Sequence, residues 1–141
     1  MPKARDKGVG IITRLPLASG LLTGKFGKET VFRAGDHRSF NRDGQHFNVG
    51  ETFAGIPFEV GVELVDELKG MLPDGMSMAQ MALRWILDQD AVSVVIPGAS
   101  SPQQARANAA MSDLPPLSKE LHRKLAEFYR QKVHAHIRGP Y

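Results

Sequence analysis

Two short apolar runs, at 8–13 and 92–96, are rich in β-branched residues and predict buried strands. The first strand is expected to end near Arg14, because Pro16 has no N–H to donate to a strand ladder. Pro97 ends the second strand in the same way.

Helical signals fill most of the remaining chain. Apolar residues recur at helical spacing over 57–70, and Ser77 opens a second helix with Gln80 at the third position, as in a capping box. Ser101 is the predicted N-cap of a helix with proline at its first position that runs to about residue 111. Ser118 caps a last helix. Strands that alternate with helices predict an α/β fold with a parallel sheet and right-handed crossovers.

The segment at 26–55 follows neither period and is predicted to be a long functional loop. A structureless loop of this length is uncommon unless it is functional or disordered. Its aromatic content argues against disorder. We expect it to line a substrate pocket, to pack on itself as a local cluster, or to do both. Six of the seven phenylalanines fall in or beside it: Phe26, Phe32, Phe40, Phe47, Phe53 and Phe58.

Length, charge and composition exclude several classes of protein. The chain has 141 residues, a net charge of +3 and no cysteine. Its scattered basic residues give little support for a nucleic-acid or membrane partner. Without cysteine, disulfides and thiolate metal sites are excluded, and His134 with His136 is too small a set for a metal site. Residues 1–7 lack the apolar core of a secretion signal, so we expect a cytoplasmic protein.

Small residues and glycines cluster where both predicted strands end, at 15–25 and 97–108. Ligands of parallel α/β folds bind beyond the carboxyl ends of the strands, and a helix N-terminus favours an anion. The pattern favours a phosphate-bearing ligand, although neither segment is a Walker loop or a Gly-x-Gly-x-x-Gly motif. The alternative is that Gly98 and Ser101 only form a turn and a helix cap.

Three segments resemble the aldo-keto reductase family, and most closely its bacterial-type and channel-subunit-like branches. The first reads GIITRLPLASGLLTGKF at 10–26 and is similar to the family's seventh barrel strand with its loop. The second reads AQMALRW at 79–85, like a late helix of the barrel. The third, VSVVIPGASSPQQARAN at 92–108, is similar to the eighth strand with its cofactor loop.

The resemblance implies a (β/α)8 barrel that binds NADP(H) without a Rossmann fold. It assigns the diphosphate to the loop at 16–21, with Lys25 and Arg38 near the phosphates. It assigns the adenosine end to the loop after the eighth strand. The residues implied to bind the cofactor are Pro16, Leu17, Ala18, Ser19, Gly20, Leu21, Lys25, Arg38, Gly98, Ser100, Gln104 and Asn108.

Two positions depart from the family's pattern. Ala107 stands where an acidic residue often contacts adenine, and Gly98-Ala99 replaces the Lys-Ser pair of other branches. The second departure removes a direct charge for the 2′-phosphate, for which Ser100, Ser101 and Arg38 are the candidate replacements.

Simpler interpretations compete with several of these roles. Gln104 lies where it would complete a capping box, and Lys25 and Asn108 fit ordinary solvated side chains. Asp36, His37 and Arg38 together fit a surface turn. Arg84 and Trp85 are expected to be structural.

The family's proton-donating tyrosine and its lysine, aspartate and histidine partners have no counterpart here. Neither Tyr129 nor Tyr141 lies in a matching motif, so no catalytic residue and no metal ligand is assigned. A (β/α)8 barrel needs about 250 residues. We therefore expect residues 1–141 to be the last two strand–helix units and C-terminal helices of a partial barrel, part of an enzyme that reduces a small-molecule carbonyl substrate.

On this interpretation the chain by itself is inactive and pairs with a missing N-terminal half. The alternative is a non-catalytic nucleotide-binding or self-assembling half-barrel module, because two strands leave exposed sheet edges.

Overall fold

Two strands, β1 (Ile11–Thr13) and β2 (Val92–Val95), form a two-stranded parallel sheet in the computed structural model, which describes residues 2–139. Ile12 lies opposite Val94, and the register shifts beside this pair. The α/β order and the parallel pairing confirm the sequence prediction.

Strand β1 is shorter than the predicted run at 8–13. The sequence did not predict the short helix α1 (Pro2–Asp6), and the first residues of the run form the turn that ends this helix. The N–H of Val9 donates to the carbonyl of Ala4 at 2.8 Å, and Gly8 has a left-handed φ of 64°. These residues are therefore unable to pair in the sheet.

The helices begin where the capping signals predict. Ser77 and Gln80 form a complete capping box, and the hydroxyls of Ser101 and Ser118 accept N–H groups of the next two helices. Helical backbone continues after residue 128 through a π-helical turn (Tyr129–Val133) and a 3-10 turn (His134–His136). The main helices are α3 (Phe58–Lys69), α4 (Met78–Leu87), α5 (Pro102–Ala109) and α6 (Lys119–Phe128).

The predicted helix to about residue 111 ends its α-helical part at Ala109. A 3-10 turn (Ala110–Asp113) continues it, and Met111 in that turn is buried. The tighter turn brings the chain back toward α4, since the carbonyl of Met111 accepts a long 3.5 Å hydrogen bond from Arg84.

The core lies where α3, α4 and α6 meet a 3-10 turn (Ala18–Thr23) that follows β1. Leu21 of that turn packs against Gly61 of α3, where an added Cβ would approach within 2.7 Å of the leucine side chain. A larger residue at this position would require the Leu21 side chain to move. The buried cluster consists of Leu21, Phe53, Phe58, Val62, Val65, Met78, Met81, Leu117 and Leu121.

The long loop at 26–55 contains a short helix, α2 (His37–Phe40), and two 3-10 turns (Val49–Glu51 and Phe53–Gly55). It packs on itself through aromatic rings. Phe32 meets Phe26 edge-on with 5.2 Å between ring centroids, and it meets Phe58 at 5.5 Å. These contacts match one of the two interpretations of the phenylalanines. A role of the loop in a substrate pocket stays a prediction.

Buried polar groups and the C-terminal segment fasten the same loop. The side chain of Asn41 is fully buried, and its Nδ2 donates to the hydroxyl of Thr52 at 3.2 Å. Its side-chain Oδ1 accepts the N–H groups of His46 and Phe47. Arg138 donates from Nε to the carbonyl of Gly55 at 2.8 Å and from Nη1 to Asp43 at 2.8 Å. The loop is therefore joined to residues almost 100 positions further along the chain.

Asp88 joins α4 to α6. Its Oδ1 accepts a hydrogen bond from Nε of Arg84 at 2.8 Å, while Oδ2 lies 2.9 Å from Nε2 of His122 and accepts the N–H of Leu117 at 2.9 Å. Arg84 also donates to the carbonyl of Leu114 at 3.2 Å. The structural role expected for Arg84 is confirmed by this network.

One face of the sheet is apolar and exposed. Ile12 is 65% exposed, and its register partner Val94 is 46% exposed. Ile96, which follows β2, is 53% exposed. Parallel sheets are normally covered on both faces, so this face is the part of the described chain least like a finished domain. Within residues 2–139, no helix is long and apolar enough to span a membrane.

The Asp88 network predicts a large effect of removing one charge. The side chain of Asp88 is 7% exposed, so Asp88→Asn leaves the Arg84 guanidinium without its buried anion and is expected to lower the free energy of unfolding by about 3 kcal/mol. Urea unfolding measures this. Asp90→Asn is the matched control, because Asp90 is 78% exposed and its pairing with Arg5 is expected to contribute less than about 0.5 kcal/mol.

The same measurement has a pH dependence. Burial alone would raise the pKa of Asp88, but hydrogen bonds from His122, Leu117 and Arg84 outweigh it and lower the pKa. The contribution of Asp88 is therefore present above its unfolded pKa of about 3.9 and is lost as the pH falls through the lowered folded value. The difference between wild type and Asp88→Asn should shrink in acid. A constant difference would contradict this prediction.

Candidate functional site

A groove lies where the loops that follow β1 and β2 face each other. It has a volume of about 420 Å³. Its walls come from the loop at 15–25, the short helix α2 and the segment at 96–104. This is the position that the sequence predicted for a ligand, beyond the carboxyl ends of parallel strands. Eight of the twelve predicted cofactor residues line it: Pro16, Leu17, Ser19, Gly20, Lys25, Arg38, Gly98 and Gln104.

The first wall has an unusual backbone. Leu15, Ala18 and Ser19 have φ angles of 52°, 47° and 56°, in the left-handed region that side chains disfavour. Gly20 follows at 92°, and a Cβ there would lie 3.1 Å from the ring of Phe26. Strained backbone of this kind persists only when the surroundings hold it, and it clusters at ligand sites.

Contacts from the long loop hold this wall in place. The hydroxyl of Ser19 donates to the carbonyl of Glu51 at 3.2 Å and lies 3.3 Å from Nε2 of His37. Glu51 forms an ion pair with Arg14 at the end of β1, and the hydrogen bond from Arg14 lowers the pKa of Glu51. The wall is therefore preformed by groups that lie more than 15 residues away in sequence.

Arg38 is the guanidinium at the groove. Its Nη1 donates to the carbonyl of Ser19 at 3.3 Å, and its Cζ lies 4.6 Å from the ring centroid of Phe32 and 5.6 Å from that of Phe26. Asp36 accepts two further hydrogen bonds from the guanidinium, which lower the pKa of Asp36 to about 2. The position assigned to Arg38 therefore lies at the wall and not on a remote surface turn.

The second wall is closed by its own side chains. Oε1 of Gln104 accepts the N–H of Ser100 at 2.8 Å and its hydroxyl at 3.0 Å, and the hydroxyl of Ser101 caps the N–H of Gln104. Asn108 donates to the carbonyl of Gly98 at 3.1 Å. The side chain of Gln104 thus accepts the N–H of Ser100, one residue before the N-cap Ser101, and does not complete a capping box with Ser101. The same side chain lines the groove.

Four predicted residues do not line the groove. Leu21 is 4% exposed and belongs to the core, because its side chain packs against Gly61. Ala18 faces a second cavity of about 420 Å³ beside Trp85. Ser100 and Asn108 adjoin the groove only through their hydrogen bonds to Gln104 and Gly98. The cofactor roles of these four residues stay predictions.

Sequence reasoning missed the contribution of two residues beside Arg38. Asp36 and His37 were interpreted as part of a surface turn, yet His37 lines the groove and Asp36 pairs with Arg38. The available signal was their adjacency to Arg38, since Asp36 is also the N-cap of α2 and accepts the N–H of Arg38 at 2.9 Å.

His134 and His136 belong to no cluster of possible metal ligands among the described residues. The ring of His134 meets that of Tyr129 edge-on at 5.8 Å. Across the described residues there is no group of three or more His, Cys, Asp or Glu side chains arranged to hold an ion.

Comparison with known proteins gives a consistent family. The model of the aldo/keto reductase family matches residues 1–130. L-glyceraldehyde 3-phosphate reductase of Escherichia coli (strain K12) is 36% identical over 119 residues, which are 83% of this chain and 33% of that protein. A probable voltage-gated potassium channel subunit beta of Arabidopsis thaliana is 30% identical over 122 residues, 83% of this chain and 34% of that protein.

Solved structures agree with the sequence match. The glycerol dehydrogenase of Gluconobacter oxydans superimposes with a TM-score of 0.72 at 26% identity, covering 99% of this chain and 38% of that one. An aldo-keto reductase of Bacillus halodurans, with a TM-score of 0.58 at 22% identity over 94% of this chain and 40% of that one, shares the fold. The chain spans about a third of the length of the curated relatives it matches. With a family model that covers nearly all of its length, the chain belongs to the aldo/keto reductase family.

Proposed function

We propose that this chain carries the diphosphate and adenosine part of an NADP(H) site that serves reversible reduction of an aldehyde or ketone. In this proposal it forms the last two strand–helix units and C-terminal helices of a (β/α)8 barrel. The observation that carries the proposal is the convergence of two family-like loops on one groove of about 420 Å³, with Lys25 and Arg38 in its walls. The dinucleotide, when bound, would supply hydride to the carbonyl carbon.

The groove has the chemistry that phosphates need. The small residues Ser19 and Gly20 in the first wall let a ligand approach the main chain closely, and the two cations offer opposite charge. On the opposite wall, a Cβ at Gly98 would meet nothing within 4 Å, which leaves room for a ligand. We assign the diphosphate to the first wall and the adenosine end to the second.

Catalysis by this chain alone is not part of the proposal. Tyr129 lines the second cavity beside α4, and no lysine lines that cavity with it. Tyr141 lies outside the described residues. We propose that the proton donor comes from an N-terminal half of the barrel, as the family resemblance implies, and that the activity is cytoplasmic.

The Lys25 side chain provides a direct test of nucleotide binding. Lys25→Ala removes a cation from the groove, so the Kd of the chain for NADP+ is expected to rise about three- to tenfold. The rise should be smaller at high ionic strength. Lys28→Ala is the matched control, because Lys28 pairs with Glu63 of α3 outside the groove. Isothermal titration calorimetry measures all three Kd values, and undetectable binding of NADP+ to the wild-type chain would overturn the proposal.

A kinetic assay tests whether the chain needs a proton donor from the N-terminal half of the barrel. The purified chain should show no carbonyl-dependent oxidation of NADPH, because in this proposal the proton donor belongs to the N-terminal half of the barrel. The assay follows NADPH absorbance with a panel of aldehydes and ketones. Turnover by the chain in the absence of other proteins would show that this assignment is wrong.

A second candidate function is favoured by the exposed apolar sheet face. Ile12 and Val94 would be covered if two copies of the chain pair, or if the chain pairs with the proposed N-terminal half. If two copies of the chain pair, the chain is a non-catalytic, self-assembling nucleotide-binding module.

Sedimentation separates the two candidates. If the chain self-assembles through this face, wild type should sediment as a dimer or larger species, and Ile12→Asp should shift it toward monomer. Val31→Asp is the control, because Val31 is 90% exposed and lies in the long loop. A folded wild-type monomer would contradict self-assembly.

A further inference from the structure

Asp36 occupies the forked edge of the Arg38 guanidinium. Nε of Arg38 donates to Oδ1 at 2.9 Å, and Nη2 donates to Oδ2 at 2.6 Å. An arginine binds phosphate through the same two parallel hydrogen bonds. The carboxylate therefore lies where two phosphate oxygens would bind if Arg38 served a nucleotide.

Arg38 keeps its place at the groove by contacts that do not involve Asp36. The rings of Phe32 and Phe26 pack against the guanidinium, and the carbonyl of Ser19 accepts a hydrogen bond from Nη1. Cation–π contacts of this kind stabilise an arginine without using its forked edge. These three contacts of Arg38 do not depend on the charge of Asp36.

That negative charge is present at neutral pH. The hydrogen bonds from Arg38 hold the pKa of Asp36 at about 2, so Asp36 is ionised throughout the physiological range. Asp36 thereby compensates the charge of Arg38, which is one of the two cations in the groove wall. The other cation is Lys25.

We propose that Asp36 is an internal competitor for phosphate at Arg38 and limits how tightly the groove holds a phosphate-bearing nucleotide. The inference rests on the proposed function, because it assumes that the groove binds the phosphates of the dinucleotide. A bound phosphate has to displace the carboxylate or share the guanidinium with it. In both cases Asp36 raises the Kd and speeds release of the nucleotide.

Asp36→Asn tests the inference with the helix cap preserved. Asparagine is a good N-cap and keeps the Oδ1 that accepts the N–H of Arg38, but it carries no charge. Calorimetry on the full chain should show the Kd for NADP+ falling about three- to tenfold, and the gain should shrink at high ionic strength. Asp36→Ser, which also preserves an N-cap, is expected to shift the Kd in the same direction.

Two controls separate competition from a general effect of charge. Glu120→Gln removes one negative charge from an equivalent carboxylate–arginine pair, with Arg123 on α6, which lies outside the groove, and should leave the Kd unchanged. In an Arg38→Gln background, Asp36→Asn should give no gain in affinity for NADP+, because Arg38→Gln has already removed the guanidinium for which Asp36 competes.

The possible outcomes distinguish the two proposals. If wild type binds NADP+ and Asp36→Asn binds it equally or more weakly, the inference is overturned and the proposed function stands. A gain that persists in the Arg38→Gln background also overturns the inference. If no variant binds NADP+, the proposed function fails and the inference fails with it.

Discussion

The left-handed backbone at Ala18, Ser19 and Gly20 is the constraint on which the groove depends. Residues other than glycine cost about 1–3 kcal/mol each in such a conformation, so the bend needs contacts from outside. The long loop supplies them through Glu51, His37 and Arg38, which all meet Ser19. If those contacts are lost, the first wall has no reason to keep its shape.

The loop itself is stable because three unrelated interactions fasten it. Its phenylalanine rings join the core beside α3, its buried Asn41 satisfies two N–H groups, and Arg138 joins it to the C-terminal segment. The ring contacts and the Arg138 contact span long separations in sequence, whereas Asn41 joins residues within the loop. A segment without helical or strand periodicity can therefore still be a rigid support for a binding site.

Local signals made the helix starts and the strands predictable. Ser77, Ser101 and Ser118 each cap a helix through groups within three residues, so a short window of sequence contains the whole interaction. Asp36 caps the short helix α2 in the same local way. The bend at Ala18–Gly20 and the position of α2 beside it depend instead on contacts between the loop and the turn after β1, which no local pattern describes.

The same reasoning explains what was predictable at the site. The resemblance located both walls, because their small residues and prolines are contiguous in sequence. The adjacency of Asp36 and Arg38 is visible in the sequence, but the position of the pair at the groove was not predictable, because it depends on where Phe26 and Phe32 place the guanidinium. A motif can identify a cationic side chain as a binding residue. The net charge of the site is set by the neighbours that the fold places beside that side chain. For this groove, that neighbour is a carboxylate two residues away.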